Sequence, residues 1–139
     1  MAKVLVVYVT TTGNTEKMAN AIADGAKSAG ADVTLKTVSD ASVSELADYD
    51  VIAFGSPAMG AEVLEEAEME PFFTEAEGKI SGKKVAVFGS YDWGDGEWLR
   101  TWEDRCKSAG ADVIASVKAH LEPDDDAIAE CKAFGAKLA

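Results

Sequence analysis

The chain has 139 residues, enough for one domain built on a single core. Apolar residues make up 47% of it, a globular rather than a disordered composition, yet no apolar run approaches the roughly 20 residues needed to cross a bilayer. Acidic residues number 25 and basic residues 13, and the net charge of −12 repels nucleic acid and anionic membranes. The same charge favours partners with basic patches, although solubility alone would also account for it.

The first segment, "KVLVVYV" (3–9), is almost continuously apolar, as a strand buried on both faces should be. It starts the chain without a cleavage-site pattern, so it is expected to be structure rather than a signal peptide, and the cytoplasm is the expected compartment. "TTTGNTE" (10–16) follows, with Thr10, Thr11, Thr12, Gly13, Asn14 and Thr15 in six consecutive positions. From 14 to 29, Met18, Ile22, Ala26 and Ala29 recur at helical spacing. A helix there leaves N–H groups and the positive end of its dipole facing the threonines. Such a start is an anion site without a cationic side chain, and phosphate is its natural ligand. An ordinary N-cap by Thr12 or Asn14 needs only one such residue.

A second strand is expected at 32–38, a helical turn at 43–48, and a third strand at 50–56, again almost wholly apolar. Beyond it, 63–77 reads as a short acidic helix broken at Pro71. The fourth strand is "KKVAVFGS" (83–90), the next helix 97–109 on Trp98, Trp102, Cys106 and Ala109, and the fifth strand "DVIASVKA" (112–119). His120, the lone histidine, is expected in a solvated loop. A last helix runs from 126 to the end on Ala127, Cys131, Phe134 and Leu138. The two cysteines, Cys106 and Cys131, have no C-x-x-C spacing and read as buried small hydrophobes, not a disulfide or a metal pair.

Strand and helix alternate throughout, without a linker or low-complexity segment. This predicts an α/β fold: a single domain, 1–139, with a doubly wound five-stranded parallel sheet and helices on both faces. Two internal echoes refine the picture. "SAGADV" (28–33 and 108–113) is one helix-to-strand turn used twice, each time with a glycine positioned to end the helix. "FGSPAMG" (54–60) and "FGSYDWG" (88–94) share a frame, each just past a strand's C-terminal end, where doubly wound sheets bind ligands. They hold out Met59 and Trp93, two walls that could clamp a planar aromatic ligand. The alternative is that both side chains fold back into the core. A Walker A motif is absent, and "GDGEWL" (94–99) departs from a dinucleotide fingerprint at Leu99. A phosphate loop beside a clamp for a flat ring fits flavin mononucleotide (FMN).

"TTTGNTE", "SPAMGAEVLEE" and "FGSYDWGDGEW" resemble, in order and spacing, the phosphate loop and two flavin loops of the flavodoxins, and over its whole length the chain is similar to the short-chain bacterial type. The resemblance implies sheet order 2-1-3-4-5 and non-covalently bound FMN. It implies that Thr10, Thr11, Thr12, Gly13, Asn14 and Thr15 hold the phosphate, and that Met59 and Trp93 flank the ring. Glu62 would accept from flavin N3–H, and the Gly60 peptide would turn over to meet N5. Ser56, Ser90 and the loop backbones would contact the ribityl chain and pyrimidine edge, which adds Pro57, Ala58, Ala61, Tyr91, Asp92, Gly94 and Asp95 to the cofactor-binding set. Ala61 and Asp92 depart from the family's common pattern, an acidic residue and a glycine respectively.

The implied function is low-potential one-electron transfer between semiquinone and hydroquinone, with no catalytic residues and no metal. Glu62, Glu65, Glu66, Glu68, Asp92 and Asp95 would crowd the ring and disfavour a second electron. Expected partners are redox proteins with basic docking patches, ferredoxin-type reductases and oxidoreductases among them, meeting a monomer. An FMN-dependent quinone reductase is the competing reading, although it would need an insertion and a substrate pocket that are not evident. A signalling receiver domain would need an acidic cluster where this chain has threonines.

Overall fold

A computed structural model describes residues 2–59, 63–92 and 94–139. Strands β1 (Lys3–Tyr8), β2 (Asp32–Thr37), β3 (Val51–Gly55), β4 (Lys84–Tyr91) and β5 (Asp112–His120) form one sheet in the order β2-β1-β3-β4-β5. Every pairing is parallel, with a register irregularity at Val85/Ala86. The doubly wound five-stranded expectation holds, and so does the order that the resemblance implied. Strand order reverses at β1, which has β2 on one side and β3 on the other.

Alternation along the strands divides the core in two. Leu5, Val7, Ile52, Phe54, Val85 and Val87 face helices α2 (Met69–Ala76) and α3 (Glu97–Ser108). Val4, Val6, Tyr8, Ala53, Ala86 and Phe88 face α1 (Asn14–Ser28) and α4 (Asp125–Leu138). The central strands are buried on both faces because both faces carry helices. On the first face Phe54 meets Phe73 edge-on at 5.1 Å, and Phe73 meets Trp102 at 5.6 Å. On the second, α1 and α4 cross closely enough that a methyl group at Gly25 would stand 2.1 Å from the Lys132 carbonyl oxygen. One at Gly135 would stand 2.1 Å from that of Ile22.

Two expectations are corrected. The acidic segment is not a helix over 63–77 broken by Pro71. Helix begins at Met69, and Pro71 sits in its first turn, where no intrahelical N–H bond is lost. The preceding turn folds onto Glu65, whose carboxylate accepts from the N–H groups of Ala67, Glu68 and Met69 at 2.9, 2.7 and 3.0 Å. His120 is not in a loop but is the last residue of β5. Elsewhere boundaries move by a residue or two, and the turn at 43–48 is a 3-10 helix closed by a Ser42–Glu45 capping box. Both cysteines are buried free thiols, pushed by burial up to about 12. Among the described residues no helix is long and apolar enough to cross a membrane.

Candidate cofactor site

Three connections leave the C-terminal ends of β1, β3 and β4, neighbours in the sheet, so they meet at one edge. Backbone bonds carry the register past the strand ends: Val9 N to Gly55 O at 3.0 Å, Ser56 N to Phe88 O at 3.1 Å, Ala58 N to Ser90 O at 2.9 Å. The loops are therefore extensions of the sheet, and their relative positions are fixed by it.

In the first connection no side chain caps α1. Its N-cap is Gly13 at φ 91°, a left-handed conformation that disfavours any side chain. A Cβ there would meet nothing within 4 Å, so open space lies beside the helix start. The Gly13 N–H donates to Thr10 Oγ1 at 3.0 Å, which bends the loop back on itself. Thr11 and Thr12 are exposed and Asn14 half-buried. Capping by Thr12 or Asn14 is thus not how the helix begins, and its first N–H groups stay available to a ligand. Thr15 is only 1% exposed and its hydroxyl lies 3.1 Å from that of Ser90, tying the start of α1 to the end of β4.

In the second connection Ser56 is fully buried. Its Oγ accepts from Glu65 N at 3.0 Å and donates to the Pro57 carbonyl at 2.9 Å. Its own carbonyl accepts from Trp98 Nε1 at 3.3 Å. Met59 and Val63 exchange backbone bonds of 2.8 and 3.0 Å, closing the loop between them. Met59 is half-buried and Val63 exposed, so Met59 does not fold into the core. Gly60, Ala61 and Glu62 lie outside the described residues, as does Trp93, so the roles expected of them stay with the sequence.

The third connection holds half-buried Tyr91, exposed Asp92, Gly94 and Asp95, and Gly96, a second left-handed N-cap at φ 91°. Asp95 receives Arg100 through its carboxylate at 3.1 Å and through its carbonyl at 3.2 Å. Gly89, at the root of this connection, admits no side chain: a Cβ would lie 1.9 Å from the Ser56 carbonyl oxygen.

Between the loops is a depression of about 200 Å³ lined by Thr11, Thr12, Asn14, Pro57, Ala58, Met59, Ser90, Tyr91, Asp92 and Leu121. Its lining combines hydroxyl and amide groups beside an open helix N-terminus with proline, methionine, tyrosine and leucine. A phosphate on the polar groups and a flat ring on the apolar ones match this set. Leu121 was not anticipated. It follows β5 with φ 59° and is 46% exposed, and nothing about a leucine signals such a place.

The flavodoxin family profile matches residues 6–135. This chain belongs to the flavodoxin family. It is 48% identical over 134 residues to the flavodoxin of Clostridium beijerinckii, covering 96% of this chain and 97% of the relative. It is 48% identical over 130 residues to that of Megasphaera elsdenii, covering 94% and 93%. The solution structure of the two-electron reduced M. elsdenii flavodoxin superposes with a TM-score of 0.89 at 45% identity, covering 98% of this chain and 99% of that one. Flavodoxins bind FMN and carry electrons between redox proteins without being enzymes themselves, and the depression's mixed polar and apolar lining suits that cofactor. The quinone-reductase reading falls away with the family assignment.

Proposed function

We propose that this flavodoxin is a low-potential one-electron carrier working in the cytoplasm between the semiquinone and hydroquinone states of its FMN. The observation that carries this reading is the shape of the site: a threonine-rich helix start and an apolar wall, held at fixed spacing by the sheet. The flavin supplies the electron-accepting chemistry; the chain binds it, orients it and biases its charge.

Thr10, Thr11, Thr12, Gly13 and Asn14 hold the phosphate, with first-turn N–H groups of α1 supplying the balancing positive field. Thr15 and Ser90 support it from beneath: one hydroxyl donates to the other, and the accepting one keeps its own O–H for a phosphate or ribityl oxygen. Ser56 supports the first flavin loop from inside rather than meeting the ribityl chain, because its Oγ both donates and accepts within the protein. Met59 and Trp93 flank the ring with Pro57, Ala58 and Tyr91 beside them. Glu62 would accept from N3–H, and the Gly60 peptide, followed by Ala61, would turn to meet N5. Asp92 and Gly94 follow the pyrimidine edge.

Carboxylates around the site disfavour a second negative charge. Of the six expected to do so, Asp95 is offset by Arg100, whereas Glu65 keeps its charge while it receives three backbone N–H groups. The field at the ring then comes chiefly from Glu62, Glu65, Glu66, Glu68 and Asp92. At an effective dielectric of about 20, one charge about 8 Å away costs about 2 kcal/mol before screening. The acidic surface docks basic patches on redox partners, ferredoxin-type reductases and oxidoreductases among them, as a monomer.

Anaerobic potentiometric titration of the purified protein tests the reading. Two resolved one-electron steps are expected at neutral pH, with a blue intermediate and a strongly negative lower couple. A single two-electron step would overturn it.

A further inference from the structure

We propose that Leu121 is a fourth wall of the flavin site, its side chain packing against the ring and ribityl chain of the bound cofactor. This rests on the flavin site above, whose other walls leave β1, β3 and β4; β5 is the next strand, beside β4. Leucine is unfavourable at this place on two counts. Its φ of 59° is left-handed, a conformation that crowds the Cβ against the backbone, and no other non-glycine among the described residues adopts one. Its side chain is also 46% exposed to water. Glycine or asparagine would avoid both. One exposed leucine needs no explanation. Exposure and strain together, at the rim of the depression, are unexplained by anything within the chain. A cofactor laid against Leu121 removes the exposure and offsets the strain.

Exposed apolar bulk is concentrated at this site. Among the described residues the large hydrophobic side chains left exposed are Val63 and Leu121. Val63 exchanges two backbone bonds with Met59, and Met59 and Leu121 both line the depression. They come from the connections after β3 and β5, the two strands that flank β4. An aliphatic side chain has neither donor nor acceptor, so the contact Leu121 offers is to a flat ring or to ribityl carbons and not to a phosphate.

The turn is held from two directions. Leu121 N donates to the Tyr91 carbonyl at 2.7 Å, and His120 Nε2 lies 2.7 Å from the Asp92 carbonyl oxygen, so the end of β4 fixes one side. Tyr91 and Asp92 line the depression themselves, so Leu121 hangs from the wall it adjoins. On the other side Glu122 pairs with Lys17 in the first turn of α1, next to the phosphate loop. Both partners are exposed, so the pair gives the turn direction more than stability. A strained residue persists only where its surroundings over-determine it, and these contacts do so between two of the loops that form the site.

Equilibrium dialysis of the full chain against FMN, and separately against riboflavin, tests the wall. Leu121→Ala keeps a Cβ in the left-handed turn but withdraws the side chain. It should bind each flavin about 5-fold more weakly than wild type, the effect of a half-exposed leucine whose remaining surface the cofactor covers. Leu121→Met, apolar and of similar volume, should restore both affinities to near wild type. Leu121→Gly relieves the backbone, so without flavin it should unfold at higher urea than L121A, yet bind both flavins as weakly. Wild-type affinities in L121A would overturn the wall. A loss confined to FMN would overturn it by placing the residue against the phosphate. Affinities restored in L121G would overturn it by tracing the L121A effect to the backbone. Failure of every variant, wild type included, to bind either flavin would instead overturn the flavin site itself.

Discussion

Hydroxyl groups at this site divide by what they already hold. Thr15 and Ser90 are buried and share one hydrogen bond, and Ser56 is buried with its one Oγ hydrogen given to the Pro57 carbonyl, whereas Thr11 and Thr12 are exposed. Phosphate recognition should therefore come chiefly from Thr10, the two exposed threonines, Asn14 and the helix start at Gly13. Charge-assisted bonds are worth about 1.5–3 kcal/mol each, so losing two of them costs about 10²- to 10⁴-fold in affinity. Riboflavin, the same ring and ribityl chain without the phosphate, is expected to bind weaker than FMN by that factor in a fluorescence titration of the apoprotein. Near-equal affinities would mean that the threonine loop holds no phosphate. This loop was legible in the sequence because its composition exceeds what a cap requires. The internal work of Ser56 and Glu65 was not, because it depends on residues 56–65 folding back on themselves, and no local pattern encodes that return. Leu121 was hidden for a different reason: left-handed positions ordinarily advertise themselves as glycine or asparagine.

At the scale of elements, the sheet places the loops, but the helices decide how firmly. The α1–α4 crossing is set by two glycines whose missing side chains would collide with backbone oxygens of the opposite helix. Gly25→Ala gains about 1 kcal/mol of helix propensity. It also forces two helix backbones apart, and such overpacking costs typically 1–3 kcal/mol, more where no rotamer can move aside. Overpacking should win, giving a net loss of about 1–2 kcal/mol in urea unfolding of G25A or G135A; an unchanged midpoint would show that the helices slide apart freely.

On the other face Arg105 joins α3 to α2. It contacts Glu70 through two bonds of 2.8 and 2.9 Å, reaches Glu77 at 2.9 Å, and lies 4.9 Å over the Phe73 ring. The bonds from Arg105 hold Glu70 below its ordinary value of 4.5 despite the opposing effect of burial. A lowered folded-state value contributes stability above the unfolded value and loses it as pH falls through the folded one. The stability gap between wild type and Arg105→Met should therefore be widest near neutrality and narrow as pH drops below 4.5. Urea midpoints across that range would reveal it, and a gap independent of pH would assign the loss to packing over Phe73 alone. Neither the staple nor the Pro71 helix start could be read from the sequence, where periodicity marked an acidic segment but not what its acids would meet.

For the whole molecule the governing quantity is the charge of −12. Strand–helix alternation makes the layered fold legible in the sequence, because each layer's period differs from the next. The distribution of charge became legible only in three dimensions. Among the described residues, Lys17, Lys36, Arg100 and Arg105 form ion pairs with Glu122, Glu45, Asp95, Glu70 and Glu77. With 25 acids against 13 bases, most of the carboxylate excess still faces solvent. Added salt then acts in two opposite directions. It screens self-repulsion within the fold, which should raise the urea midpoint of the FMN-loaded protein. It also screens attraction to a basic partner, which should slow association. Raising sodium chloride from about 20 mM to about 500 mM shortens the Debye length from roughly 20 Å to about 4 Å, so surface charges cease to act over distance. Stopped-flow electron transfer to a cationic redox protein should then slow by about 10-fold or more while unfolding shifts to higher urea. Chloride is the salt to use, because sulfate or phosphate could also stabilise any protein left without FMN by occupying the helix start. If both quantities rose together, the acidic surface would be a device for solubility and docking would rest on apolar contact around the flavin.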